Sequence, residues 1–267
     1  MSKPRVIDAH THAFPDELAG RAVSVLEAAA GIRARLNGTI SALLASMDRH
    51  GIDASIVCSI ATKPSQTEPI LTWSKKIRSE RIIPFPSIHP ADPIWPEHLR
   101  RISGEGFLGI KLHPYYQEFE LDEPRLLRVY EHLSRLNLAV VMHTGYDMAY
   151  ALRPGADPPK IARIAETFPS LRMLTTHMGS WKQWDSVEKH LIGSRIFMEI
   201  SYSLQFLPAQ QSRRMIRSHP RECVCFGTDS PWTDQGEELA RLRALGLGTE
   251  MEERVLGRNI LDFLARG

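Results

Sequence analysis

Cysteine is scarce. The 267 residues hold three, Cys58, Cys223 and Cys225, too few for a disulfide framework. Cys223 and Cys225 lie two apart in an apolar run, on one face of an expected strand, where they do not easily bridge. A reducing, cytoplasmic setting is the expectation. Surplus charge is also missing: 33 Lys+Arg stand against 31 Asp+Glu, a formal net charge of +2. With no basic block, nucleic acid is not expected as a partner. No run approaches the roughly 18 consecutive apolar residues of a membrane span, so no membrane partner is expected. The N-terminal MSKPRVIDAHTH has no apolar h-region, so no secretory signal is expected. A glycine-rich phosphate loop is absent after the first apolar run, and no GxSxG marks a nucleophilic serine. Ser/Gly linkers, low-complexity tracts and short tandem repeats are absent too. Residues 1–267 are therefore expected to form one domain acting on a small molecule, and a homo-oligomer is compatible with that.

What the chain does have is alternation. Short apolar, β-branched runs cover residues 5–9, 54–60, 82–88, 106–112, 138–142, 171–176, 196–201 and 223–228. Between them lie polar-apolar stretches at helical period, clearest over residues 123–136, 158–168, 181–190 and 208–218. Two further helices, over 237–245 and 249–264, follow the last run. Strands alternating with helices imply right-handed βαβ units and a parallel sheet. Eight such units in about 250 residues predict an α/β fold, a distorted (β/α)8 TIM barrel whose closed parallel sheet is ringed by helices.

Barrels of this kind carry their chemistry at the C-terminal ends of the strands. Here those ends are rich in histidine. The first run ends in His10-Thr11-His12, the third in His89, the fourth in Lys111-Leu112-His113, the fifth in His143, the sixth in His177 and the eighth in Asp229. The other five histidines, His50, His98, His132, His190 and His219, fall in helices or loops and read as surface residues. One HxH is weak evidence, since eleven histidines give about half of one by chance. Four separate strands ending at one mouth are stronger. Side chains at i and i+2 share a face. By that count Val141, Ala139, Gly227, Cys225 and Cys223 point into the barrel, as do Lys111, His113, Glu199 and Ser201. Asp8 is expected on the face of His10 and His12. Buried charges at Lys111 and Glu199 are costly unless paired, so a mutual pair, or a substrate carboxylate on Lys111, is expected. Imidazoles with one carboxylate suit a divalent ion such as Zn²⁺: His10 and His12 bite from one side, and a third histidine and Asp229 close the shell. After the sixth and eighth strands, Trp181, Trp184 and Trp232 could wall a pocket. In the loops after the fourth and fifth, Tyr115, Tyr116, Tyr146 and Arg153 are candidates, Arg153 for an anionic substrate.

The segments IDAHTH (7–12), GIKLHP (109–114), VVMHTG (140–145), FPSLRMLTTHMGS (168–180), FGTDSP (226–231) and GRNILDFL (257–264) resemble the amidohydrolase superfamily. More narrowly, they are similar to its amidohydrolase-2 branch, which includes aminocarboxymuconate-semialdehyde decarboxylase-like enzymes. They occur in that family's order over nearly the whole chain. The resemblance implies that His10, His12, His143 and Asp229 hold one divalent metal, with Zn²⁺ expected. It also implies that His177 stands beside the metal water as general base or electrophile, with Asp229 sharing the proton transfer. Binuclear relatives carry a carboxylated lysine on the fourth strand; in its KLHP context Lys111 is expected to be uncarboxylated. Substrate contacts are expected from Lys111, His113, Trp232 and Arg153. The chain is short for the decarboxylases of this branch. The expectation is therefore a hydrolase attacking an ester, lactone or amide with activated water. The alternative is a non-oxidative decarboxylase using the same metal shell.

Overall fold

The computed structural model describes residues 5–153 and 155–265. The first four residues, part of the segment read for a secretory signal, lie outside that range. Eight strands run in chain order: β1 (Ile7–Thr11), β2 (Ala54–Cys58), β3 (Ile82–Phe85), β4 (Gly109–Leu112), β5 (Ala139–Met142), β6 (Met173–Thr175), β7 (Phe197–Glu199) and β8 (Val224–Cys225). Two helices separate β1 from β2: α1 (Asp16–Ala30) and α2 (Ile40–His50). One helix follows each later strand: α3 (Thr67–Ile77), α4 (Trp95–Gly104), α5 (Pro124–Arg135), α6 (Pro158–Thr167), α7 (Trp184–His190), α8 (Ala209–Ser218) and α9 (Gln235–Ala244). The chain then continues through α10 (Thr249–Glu253) and α11 (Asn259–Ala265).

All strand pairs are parallel and follow chain order, β1 to β3 in one sheet and β4 to β8 in another. Two seams close the ring. Lys111 N donates to Pro86 O at 2.8 Å beside β3, and Ala9 N donates to Phe226 O at 2.9 Å beside β8. The result is the closed, distorted (β/α)8 barrel expected from the alternation.

The strand parity sorts the core into two layers. Ala139, Val141, Cys225 and Ile56 form an inner cluster, which α11 joins with Ile260 and Phe263. Val140, Met142, Ile110 and Met198 face outward and pack with Leu126 and Val129 of α5 and Ile161 of α6. Those helices hold their places because apolar residues recur every three to four positions, which gives each helix one buried stripe. Among the described residues no helix is long and apolar enough to cross a membrane.

The register of β1 departs from simple alternation. Asp8 pairs with Ser55, but Thr11 pairs with Val57, so three steps on β1 answer two on β2. This irregularity turns His10 and His12 into the mouth while leaving Asp8 outside the barrel. Asp8 does not share the face of His10. It accepts hydrogen bonds from Thr228 N and Oγ1 and, at 2.8 Å, from Gln235 Nε2 of α9. The expected continuous helix over 249–264 is also interrupted, by a π-turn at Arg254–Arg258. There the Val255 carbonyl accepts from Phe226 N at the end of β8. Gly257 lies so close to β1 that a Cβ would sit 2.0 Å from Arg5 O. Two histidines read as surface residues are buried: His98 lies 3.2 Å from Asp92 Oδ2, and His219 Nε2 donates to Ile196 O at 2.7 Å.

Candidate metal centre and cavity

The C-terminal ends of β1, β4, β5, β6 and β8 bring five imidazoles and Asp229 onto one cavity of about 420 Å³. The hydrogen bonds decide which ring nitrogens carry protons. His12 Nδ1 lies 2.8 Å from the Cys58 carbonyl, an acceptor only, so Nδ1 donates and Nε2 keeps a lone pair. His10 Nδ1 donates to Glu199 Oε1 at 3.1 Å, which likewise leaves a lone pair on its Nε2. These two Nε2 atoms stand 3.1 Å apart, and Asp229 Oδ1 lies 3.2 Å from His12 Nε2 and 3.6 Å from His10 Nε2. Three acceptor atoms thus converge, and none of them carries a proton for the other two; Lys111 Nζ, 3.1 Å away, reaches only His10 Nε2. A divalent cation satisfies that arrangement, and the donor set of two nitrogens and one carboxylate oxygen suits it.

Hydrogen bonds from deeper residues hold these side chains in place. Glu199 is fully buried on β7 and accepts from His177 N at 3.0 Å, Ser201 N at 2.6 Å and Ser201 Oγ at 2.8 Å, besides His10. Burial pushes its carboxyl up to about 8, against the downward pull of the Ser201 and His177 hydrogen bonds. His177 Nδ1 donates to Ser201 O at 3.2 Å, so its Nε2 is unprotonated. Burial lowers His177 to about 4, and Asp229 opposes this only in part. His10, His113 and His143 are lowered well below the usual histidine value, again chiefly by burial. At neutral pH these four rings are neutral acceptors. His177 and Asp229 also sit in the left-handed backbone region, at φ of 58° and 62°. Such conformations persist only where surrounding contacts enforce them.

The remaining candidates divide. His143 donates from Nε2 to Tyr146 O at 3.2 Å and turns Nδ1 toward His177 Nε2, 3.3 Å away. It clusters with His113 and Asp147 rather than with His10, His12 and Asp229. His113 lines the cavity, stacked on His143 with ring centroids 4.0 Å apart. Trp232, Trp181, Tyr116 and Tyr146 line it as well. Trp184 instead donates to the His177 carbonyl. Lys111 lies beneath the cavity, fully buried, with Nζ 3.1 Å from His10 Nε2. Among the described residues it forms no ion pair with Glu199, whose oxygens serve His10, His177 and Ser201. Arg153 does not reach the cavity: its guanidinium lies over Tyr115 and donates to Pro114 O at 3.2 Å. His89 is also apart, its Nδ1 accepting from Ala91 N.

Two residues at the site were not singled out from sequence. Asp147 lines the cavity with Oδ2 3.4 Å from His113 Nε2; an acid four residues after the strand-end His143 is its only signal. Gln117 is buried and donates to Ala61 O and Ile88 O while accepting from His113 N. It thereby ties together the loops after β2, β3 and β4, and nothing in its local sequence marks it.

Fold and site define a barrel protein built around a divalent-metal centre at its strand C-termini. The chain belongs to the family described as Amidohydrolase (Amidohydro_2), whose model matches residues 7–266. A comparison with curated proteins finds no match. Solved structures do resemble it. The uncharacterized TIM-barrel protein Bb4693 from Bordetella bronchiseptica superposes with a TM-score of 0.77 at 17% identity, over 98% of each chain. 5-Carboxyvanillate decarboxylase LigW from Sphingomonas paucimobilis gives 0.70 at 14%, over 98% of this chain and 99% of that one. The dihydroxybenzoic acid decarboxylase from Polaromonas sp. JS666, solved with bound manganese and 2-nitroresorcinol, gives 0.72 at 12%, over 98% and 97%. At these identities the likeness is one of fold.

Proposed function

We propose that this chain is a metal-dependent lyase that releases CO₂ from a small carboxylic acid without oxidation. This reverses the order of the two activities expected from sequence, where chain length favoured hydrolysis. The reading is supported by the decarboxylases among the similar structures, two of which are named above. The observation that carries it is the cavity lining. Among the described residues no Lys or Arg lines the cavity, whose walls are largely apolar, so a bound carboxylate meets positive charge only at its metal end, from the cation held by His10, His12 and Asp229 and from Lys111 beneath His10. Confined in apolar surroundings, a carboxylate is destabilised relative to neutral CO₂.

When bound, the metal supplies a Lewis acid that orients the substrate's oxygen atoms. The C–C bond to the carboxylate breaks, its electron pair stays on the remaining carbon, and that carbon takes a proton. His177 is the residue for this transfer: neutral and unprotonated at Nε2, it accepts a substrate proton and returns it to carbon. Asp229 shares the proton transfer. His113 and Trp232 contact the substrate body. Zn²⁺ and Mn²⁺ both suit the donor set, and elemental analysis of the purified protein decides between them. The buried thiols of Cys58 and Cys225 accord with a reducing, cytoplasmic setting.

The same lining also admits one other reading, hydrolysis of a neutral ester or lactone, which needs no cationic side chain in the wall, but the decarboxylases among the similar structures do not point to it. Turnover in oxygen-18 water separates the two. CO₂ release with no label in the organic product supports the lyase. Label entering a new carboxylate supports the hydrolase and overturns the lyase.

A further inference from the structure

The cavity extends well beyond the histidines. Leu18, Ala22, Leu26 and Ala30 occupy every fourth position of α1, and all four line it. Residues so spaced share one helix face, and at 1.5 Å per residue the stripe is about 18 Å long. Across from it stand Ile70 and Trp73 of α3. Among the described residues the only carboxyl side chains in the lining are those of Asp147 and Asp229, both beside histidines. Along α1 only Ala19 and Val23 are buried, so the Ala22–Leu26–Ala30 row is not spent on the barrel core. A single-ring acid does not need this much room: about 420 Å³ lies in the range that encloses larger ligands.

We propose that this arm between α1 and α3 binds an alkyl chain, so that the substrate is an amphiphile. Its polar reacting group lies at the histidines, and its hydrocarbon tail lies along Leu18, Ala22, Leu26 and Ala30. The proposal rests on the reading above for the head group alone. The tail is inferred from the continuity of one cavity, polar at its metal end and apolar along α1.

The test is a titration of the metal-loaded protein with butanoate, hexanoate, octanoate and decanoate, followed by calorimetry and by intrinsic tryptophan fluorescence. Affinity is expected to rise about fourfold for each CH₂ that enters the arm. In Leu26→Asp that gain is expected to disappear. Ala22→Trp, which fills the arm without adding charge, is expected to do the same and covers the case in which the aspartate variant does not fold. Equal affinities for butanoate and decanoate overturn the proposal, and so does a chain-length gain that survives in both variants. A change of oligomeric state in Leu26→Asp with the gain retained also overturns it, by assigning the stripe to self-association. Because binding needs no turnover, and a simple alkanoate has no group to hold the electron pair left by CO₂, a clear gain supports the arm and leaves the lyase reading to the oxygen-18 experiment. CO₂ release from short acids with a flat titration defeats only the alkyl arm.

Discussion

Gly227 faces Glu199 so closely that a Cβ at this position would lie 2.2 Å from Glu199 Oε2. The glycine of the GTD segment therefore makes room for the carboxylate that orients His10. Gly227→Ala forces Glu199 aside, and overpacking of this kind costs about 1–3 kcal/mol. Displacing the group that orients a metal-ligating histidine typically weakens metal binding about 10–100-fold. Urea unfolding together with a metal titration checks both effects. Wild-type values in both would separate Glu199 from the metal centre.

The convergence of His10 Nε2, His12 Nε2 and Asp229 Oδ1 leaves three acceptors facing one another, and a cation relieves them. Metal should therefore stabilise the fold. At a free concentration one hundred times its Kd, a ligand adds about 2.7 kcal/mol. Chelation is thus expected to lower Tm by about 5–10 °C, at about 2–4 °C per kcal/mol for a chain near this size. His12→Ala and Asp229→Asn should bind little metal and show no chelator response. A chelator-induced fall in Tm as large in these variants as in the wild type would remove them from the ligand set.

His177 stands beside the ligand cluster, with Nε2 toward His143 and Nδ1 fixed by Ser201. His177→Asn is expected to keep stoichiometric metal and lose about 10²–10⁴-fold in kcat, the usual contribution of a positioned acid-base group. Metal content and steady-state kinetics together make the test. Loss of metal in step with activity would make His177 a ligand instead.

Much of this was legible from strand periodicity. Counting by twos from His143 and Asp229 places Val141, Ala139 and Cys225 in the inner cluster, because flat, regular strands preserve parity. At Asp8 the same count fails, because the register shift on β1 is set by pairing with β2 and leaves no local sequence mark. Glu199 was correctly placed facing inward, but its partner was not: parity shows which way a side chain points, not which of several inward neighbours it meets. Helix α1 escaped notice for a different reason. Its apolar residues line an open cavity, as the half-exposed Leu18 does, or face solvent, as Val25 does, so they do not form the single buried stripe that betrays a core-packed helix. Arg153 shows the limit for loops, whose side-chain directions follow from tertiary contacts such as its stacking on Tyr115.

Away from the metal centre, Glu238 of α9 offers a test of pH linkage. One of its oxygens accepts from Arg241 at 2.6 Å, while the other is buried without a hydrogen-bond partner. Burial raises its carboxyl from 4.5 to about 7; Asp8 and Glu237 add to the rise, and Arg241 opposes it. The folded state therefore binds this proton more tightly than the unfolded chain does. Between about 4.5 and about 7 the folded state carries more protons, so stability falls as pH rises through that window and levels off above it. The favourable term is complete at pH values below the unfolded pKa. Across the whole window it amounts to about 3 kcal/mol at most. Glu238→Gln keeps the shape and the bond from Arg241 but cannot ionise. Its stability relative to wild type is expected to increase from acid to neutral pH, as read from urea midpoints in matched buffers. Glu199 titrates in the same direction in both proteins and cancels in the comparison. Parallel pH profiles for the two proteins would mean that Glu238 titrates alike in the folded and unfolded chain, with its buried oxygen satisfied by water.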